Sequence, residues 1–140
     1  MPSNVRWHPE AFENRMDRGL ARNVEKAAIM YENAVKQSFG HSGVLKKRAG
    51  ASAREREVNR SKAGETPHVQ TGTLKRSITH QKVGDFMQRV GSLLKPEGGQ
   101  RHSYALYLEY GTDSMAARPY FRPMFRSMRG RLRRIIAGKI

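Results

Sequence analysis

The residues that could do chemistry are few and badly placed for it. There is no cysteine, which excludes a thiol nucleophile, a thiolate zinc site and a disulfide framework. His8, His41, His68, His80 and His102 are scattered, and no two share the i, i+4 spacing that gives a metal two ligands from one helix face. They read as structural or solvated histidines. Ser77 has no G-x-S-x-G elbow around it. Gly98-Gly99 and Gly111 belong to neither a phosphate-cradling loop nor a dinucleotide fingerprint. Asn59-Arg60-Ser61 matches a glycosylation acceptor, but the opening MPSNVRWHPEAFENR has no signal-peptide apolar region. The expected compartment is therefore cytosolic. No catalytic role, metal or cofactor is expected.

Charge is the strongest compositional signal. Lys and Arg number 27 against 12 Asp and Glu, a formal net charge of +15 over 140 residues. Residues 40–72 hold seven basic and three acidic groups, and Arg118 to Ile140 hold eight basic groups and no acid. Such a block repels itself unless it is solvated or neutralised by a partner, either phosphates or an acidic protein surface. No zinc-finger spacing, aromatic sheet signature or GXXG clamp accompanies it. A basic helix alone gives sequence-blind, salt-dependent phosphate contacts. The longest apolar run falls far short of a membrane span.

The elements that would position these groups follow from spacing. Phe12, Met16, Leu20, Val24, Ala28, Tyr31, Val35 and Phe39 recur every three or four residues, which predicts a long N-terminal helix over residues 1–40. Pro9 suits its first turn, and Gly40 ends it. Its acids, Glu10, Glu13, Asp17, Glu25 and Glu32, read as exposed partners for Lys and Arg. Residues 41–70 have no sustained apolar face and are expected to be a flexible basic loop. Thr71-Gly72-Thr73-Leu74 reads as a turn into a first strand, and Gly84-Asp85 as the hairpin turn to a second. Tyr104 to Tyr110 fits a short helix stopped by Gly111. From Arg118 a second amphipathic helix carries the stripe Phe121, Phe125, Met128, Leu132, Ile135 and Ile136. Arg122, Arg126, Arg129 and Arg133 repeat that spacing one residue on, with Arg134 beside them. Glu109, two residues before the Gly111-Thr112 turn, is expected to accept from the turn amides or to pair with Arg118. Arg118-Pro119 forces an extended entry to the helix.

Two stretches carry a resemblance. PHVQTGTLKRSI (Pro67 to Ile78), with Thr71, Gly72, Leu74 and Ser77, resembles the P-x-x-T-G-x-L-x-x-S-I signature of tailed-phage minor structural proteins. YALYLEYGT followed by ARPYFRPMF, with Tyr104, Glu109, Gly111, Thr112, Arg118 and Pro119, resembles the second signature of the same group. That group is the neck or tail-completion family named after gene product ten of the Hong Kong 97 type of long-tailed phage. The resemblance implies a minor virion protein, assembled in the host bacterium as a ring between capsid portal and tail tube, with no catalytic or cofactor residues. Sixfold symmetry is expected ahead of twelvefold, with head-completion and tail proteins as neighbours. The motif residues would either fix a tight corner or contact a neighbouring subunit.

The combined expectation is a single α+β domain of residues 1–140. It has a long N-terminal helix, a long basic loop, a small antiparallel β-sheet region with a short helix (71–117), and a basic C-terminal helix (118–140) packed on the sheet. Its C-terminal arginines would meet packaged DNA or, preferably, an acidic neighbouring protein. The alternative function is a basic nucleic-acid-binding protein contacting phosphates non-specifically.

Overall fold

A computed structural model describes residues 9–40, 61–69, 72–98 and 101–139. Among them the elements run α1 (Pro9–Ser38), α2 (Thr73–Ser77), β1 (Ile78–Gly84), β2 (Met87–Ser92), α3 (Tyr104–Tyr110) and α4 (Phe121–Ile136). The fold is α+β, with a two-stranded antiparallel sheet between a long N-terminal and a C-terminal helix. No helix among the described residues is long and apolar enough to cross a membrane.

The spine is α1. Its 30 residues span about 45 Å, with Pro9 and Glu10 in the first turn and Lys36 in the last, as the helix termini favour. The apolar stripe along it is buried only in its second half, at Ala27, Ala28 and Val35, and continues to Phe39. Met16 and Leu20 are exposed, and the side chain of Phe12 lies outside the described residues. One core cluster joins Val35 and Phe39 to Ile78, Leu108 and Tyr120. A second joins Ala27 to Leu132 and Ile135.

The C-terminal helix differs from expectation in its main partner. It lies along α1, and α1 is the element that covers β1 and β2. The pair is antiparallel: Asn23 Nδ2 donates to the Ile136 carbonyl (3.4 Å), while Tyr31 Oη donates to the Phe121 carbonyl (2.8 Å). Small Ala27 opposite Leu132 and Ile135 lets the helices approach, and the edge of Phe125 meets Tyr31 at 5.8 Å between centroids.

The hairpin pairs Ile78 with Ser92 through Gly84 with Met87, with an irregularity between Lys82 and Gly84. The turn residues are Asp85 and Phe86, one position later than Gly84-Asp85. The expected strand start is also corrected, since residues 73–77 form a helical turn and the strand begins at Ile78. Gly72 opens that turn with φ +76°, and the Arg76 N–H donates to its carbonyl. Ser77 Oγ closes the turn on the Leu74 carbonyl (2.7 Å) and meets Ser92 Oγ across the hairpin (2.7 Å).

Part of the expected flexible loop is docked. Residues 41–60 and 70 lie outside the described residues, but 61–69 return to the fold. The Gly40 N–H donates to the Pro67 carbonyl, the Val69 N–H to the Gly40 carbonyl, and the Gly64 N–H to the Ala117 carbonyl. Ser61 and Pro67 are buried and Val69 packs on the core, which offsets the cost of ordering so polar a segment.

Glu32 ties α1 to the sheet: it has the Lys partner expected of it, but the expectation that it is exposed is corrected. It accepts from Lys36 on its own helix and meets His80 Nδ1 on β1 at 2.5 Å, with its side chain 12% exposed. Burial would raise its carboxyl, but the hydrogen bonds and charges of Lys36 and His80 outweigh that and hold it below the ordinary value. A depressed carboxylate stabilises the fold above its unfolded pKa and loses that contribution as pH falls through the folded value. Melting temperature should therefore drop on acidification below about pH 4, and Glu32→Gln should flatten that acid limb.

Gly111 sets a second test. Its φ of +78° with ψ 179° suits glycine alone, and a Cβ there would sit 2.9 Å from both the Ala117 N and the Met115 O. Gly130, inside α4, has open space around it. Gly111→Ala should cost about 2 kcal/mol or more, while Gly130→Ala should gain about 0.5–1 kcal/mol. Chemical denaturation of both variants measures the contrast.

Candidate functional site

The described residues contain no cluster of three His, Asp or Glu side chains able to hold a metal. What the motif residues build is a corner. Helix α3 ends where the Gly111 N–H returns to the Tyr107 carbonyl, and Thr112 and Met115 then exchange backbone hydrogen bonds in a tight reversal. The chain runs back past α3, with the Arg118 N–H donating to the Leu108 carbonyl (2.7 Å). It then enters α4 at Tyr120, which supplies no side-chain cap of its own.

The missing cap is Glu109. Its Oε2 accepts from the backbone N–H of Tyr120 (2.8 Å) and Phe121 (3.0 Å), and its Oε1 from that of Arg122 (3.0 Å). Only 7% of Glu109 is exposed. Three orphan helix donors and the positive end of the helix dipole thus meet one buried carboxylate. The acceptor role expected of Glu109 is present, but the donors are the helix amides rather than the Gly-Thr turn. Arg118 points elsewhere, its Nε donating to the Ser61 carbonyl at 2.9 Å. Pro119 is half-buried between these contacts, and Thr112 Oγ1 meets only Ser114 Oγ, at 3.3 Å, among the side-chain contacts described.

Two tyrosines surround the carboxylate. Tyr120 is buried, its ring against Phe39 and Phe121 and its hydroxyl on the Ala105 carbonyl. Burial first, then the Glu109 charge, pushes its phenol far above the ordinary range. The same two causes push Tyr31 up to about 12. The chemistry of its type marks neither tyrosine in the sequence. Tyr31 is legible as a member of the apolar stripe of α1, and Tyr120 stands one residue ahead of the stripe of α4.

The first signature joins this corner through the core. Leu74 packs on the cluster that contains Ile78, Leu108 and Tyr120. Gly72 and Ser77 hold the helical turn that aims Leu74 inward, while Thr71 lies outside the described residues. Tyr104 is mostly exposed and borders a cavity of about 310 Å³ with Phe39, Val69 and Leu74.

The arginines divide. Arg122, Arg126, Arg129 and Arg133 are exposed along one edge of α4, and Arg134 is turned about a third of a circle away. The Arg122 guanidinium stacks 4.2 Å over the Tyr110 ring. Among the described residues none of the five has a carboxylate partner. Beside them Phe125 and Ile136 remain exposed.

No protein-family model, no curated protein and no solved structure matches the chain.

Glu109→Ala leaves three amides without an acceptor and should destabilise the protein by about 2–4 kcal/mol. Glu109→Gln, which keeps one carbonyl acceptor, should cost roughly half as much. Urea midpoints test this, and an unchanged midpoint for Glu109→Ala would show that water satisfies the helix end equally well.

Proposed function

We propose that this chain is a structural, non-catalytic subunit of a ring in the neck of a tailed phage, joining the DNA-filled capsid to the tail. One observation carries the reading. The two separated signatures meet in a single small core through Leu74, Ile78 and Leu108, and the elements which that core holds leave large apolar side chains in water. Met16 on α1, Phe86 and Met87 at the hairpin tip, and Tyr104 and Tyr110 on α3 are each about half exposed or more. Apolar edges displayed on a rigid corner fit a part completed by neighbouring subunits. On this reading the protein resides in the virion after assembly in the bacterial cytoplasm. It forms a homo-oligomeric ring, sixfold in preference to twelvefold, against head-completion and tail proteins.

The unpaired arginines of α4 favour a second reading, a phosphate-binding protein that contacts nucleic acid without reading sequence. Exposed Phe125 and Ile136 beside them weigh against it, because a phosphate backbone gives apolar side chains nothing to cover them.

Electron microscopy of the purified chain should show closed rings, and a virion map should place it between portal and tail tube. A chain that stays monomeric and shifts DNA at low salt, its log affinity falling by about 0.9 per neutralised phosphate for each unit of log salt, would replace the ring with the nucleic-acid reading.

A further inference from the structure

We infer that the first half of α1 is an acidic and apolar ridge that docks into a basic and apolar groove on a second copy of this chain. The inference rests on the ring reading for how successive contacts close. The contact itself stands on separate observations.

The ridge is the uncovered half of a face that is buried farther along. At 100° per residue, Glu10, Glu13 and Asp17 fall within an arc of about 60°. That arc continues the line of Tyr31 and Val35, which enters the core. Met16, 58% exposed, and Leu20, 39% exposed, flank it. The basic residues of the same stretch lie on the far side. Two of them are folded back, Arg18 Nε on the Asn14 carbonyl and Arg22 Nε on the Arg18 carbonyl. Acid and base are therefore segregated about the helix, and Met16 and Leu20 lie nearer the acids than the bases.

The groove has the opposite charge. It is a cleft of about 560 Å³ between α1, β2 and α4, lined by Val24, Val90, Phe125 and Ile136 with Arg129 and Arg133 at its edge. The Oε1 of Gln88, which also lines it, is buried and has no hydrogen-bond partner among the described residues. Neither arginine has a carboxylate partner there.

One chain does not join its own two surfaces among the described residues. Helix α4 ends beside Asn23 and runs antiparallel to α1. From Asn23, Asp17 and Glu13 lie about 9–15 Å along the axis one way, and Arg133 and Arg129 about 5–10 Å the other way. The gaps run from about 14 to about 25 Å and no ion pair spans them among the described residues, whereas a second copy brings the charges together. Ridge and groove are different surfaces, so each copy can give one and receive the other, and a head-to-tail series of such contacts closes into a ring.

The test is a charge swap on the full chain, read as particle mass by light scattering at low salt. Glu13→Lys with Asp17→Lys should lose assembly and leave the single-chain mass of 15.9 kDa. Arg129→Glu with Arg133→Glu should do the same. Mixing the two variants should restore assembly, because each reversed surface then meets a complementary one, and a variant that failed to fold would not be rescued. Assembly of the wild type should weaken as salt rises. If both variants assemble as the wild type does, this contact is wrong and the ring reading survives. If rescue stops at two copies, the contact stands and the ring reading falls. Loss in the arginine variant alone, unrescued by the mixture, would give the groove to a different acidic surface of this chain and overturn the inference. A wild type that is monomeric throughout overturns both.

Discussion

The first turn of α4 carries backbone donors into the interior without a capping side chain of its own, and the Glu109 carboxylate makes that burial tolerable. A buried carboxylate and a set of buried amides are each costly alone and compatible together. The surrounding geometry serves that meeting. Gly111 must take a conformation closed to other residues so that α3 stops at once, and the reversal at Thr112–Met115 returns the chain on the correct side. The Arg118 N–H then fastens the returning chain to α3. With the helix entry fixed, Tyr120 fills the core, and the Phe121 carbonyl is presented to Tyr31.

From that point α1 unites the remaining elements. Its Tyr31 and Ala27 receive α4, and its Glu32 reaches across to His80 on the hairpin. Its last turn and Phe39 share the core with Ile78 and Leu108. Gly40 then pairs with residues 67–69 so closely that a Cβ would stand 2.5 Å from the His68 ring. The helix pair, the hairpin and the α3 corner all meet this one helix or the core beneath it.

How much of this is legible in the sequence depends on the range of the deciding interaction. Both long helices follow from a period that each carries within itself, and the hairpin follows from a turn flanked by β-favouring residues. Glu109 is recognisable as an acceptor because an acid stands beside a sharp turn. Its true donors lie 11 to 13 residues on and are brought near only by the reversal. The helical turn at Thr73–Ser77 reads as strand because its bonds run to Leu74 and across to Ser92, which composition does not reveal. An amphipathic stripe states that α4 has a buried face without naming its partner, so the sheet is a natural guess where α1 is the answer. Glu32 looks solvated on a helical wheel because nothing in α1 shows that β1 lands beside it.

The antiparallel pairing of α1 and α4 also determines how the molecule bears load. Tension applied to the outer end of α1 runs along the helix axis, parallel to its interface with α4. The contacts at Asn23, Ala27 and Tyr31 would all be strained together, in shear. The hairpin, joined at its tip by two residues, would instead open one pair at a time if its ends were drawn apart. The same chain is thus stiff along one direction and compliant along another.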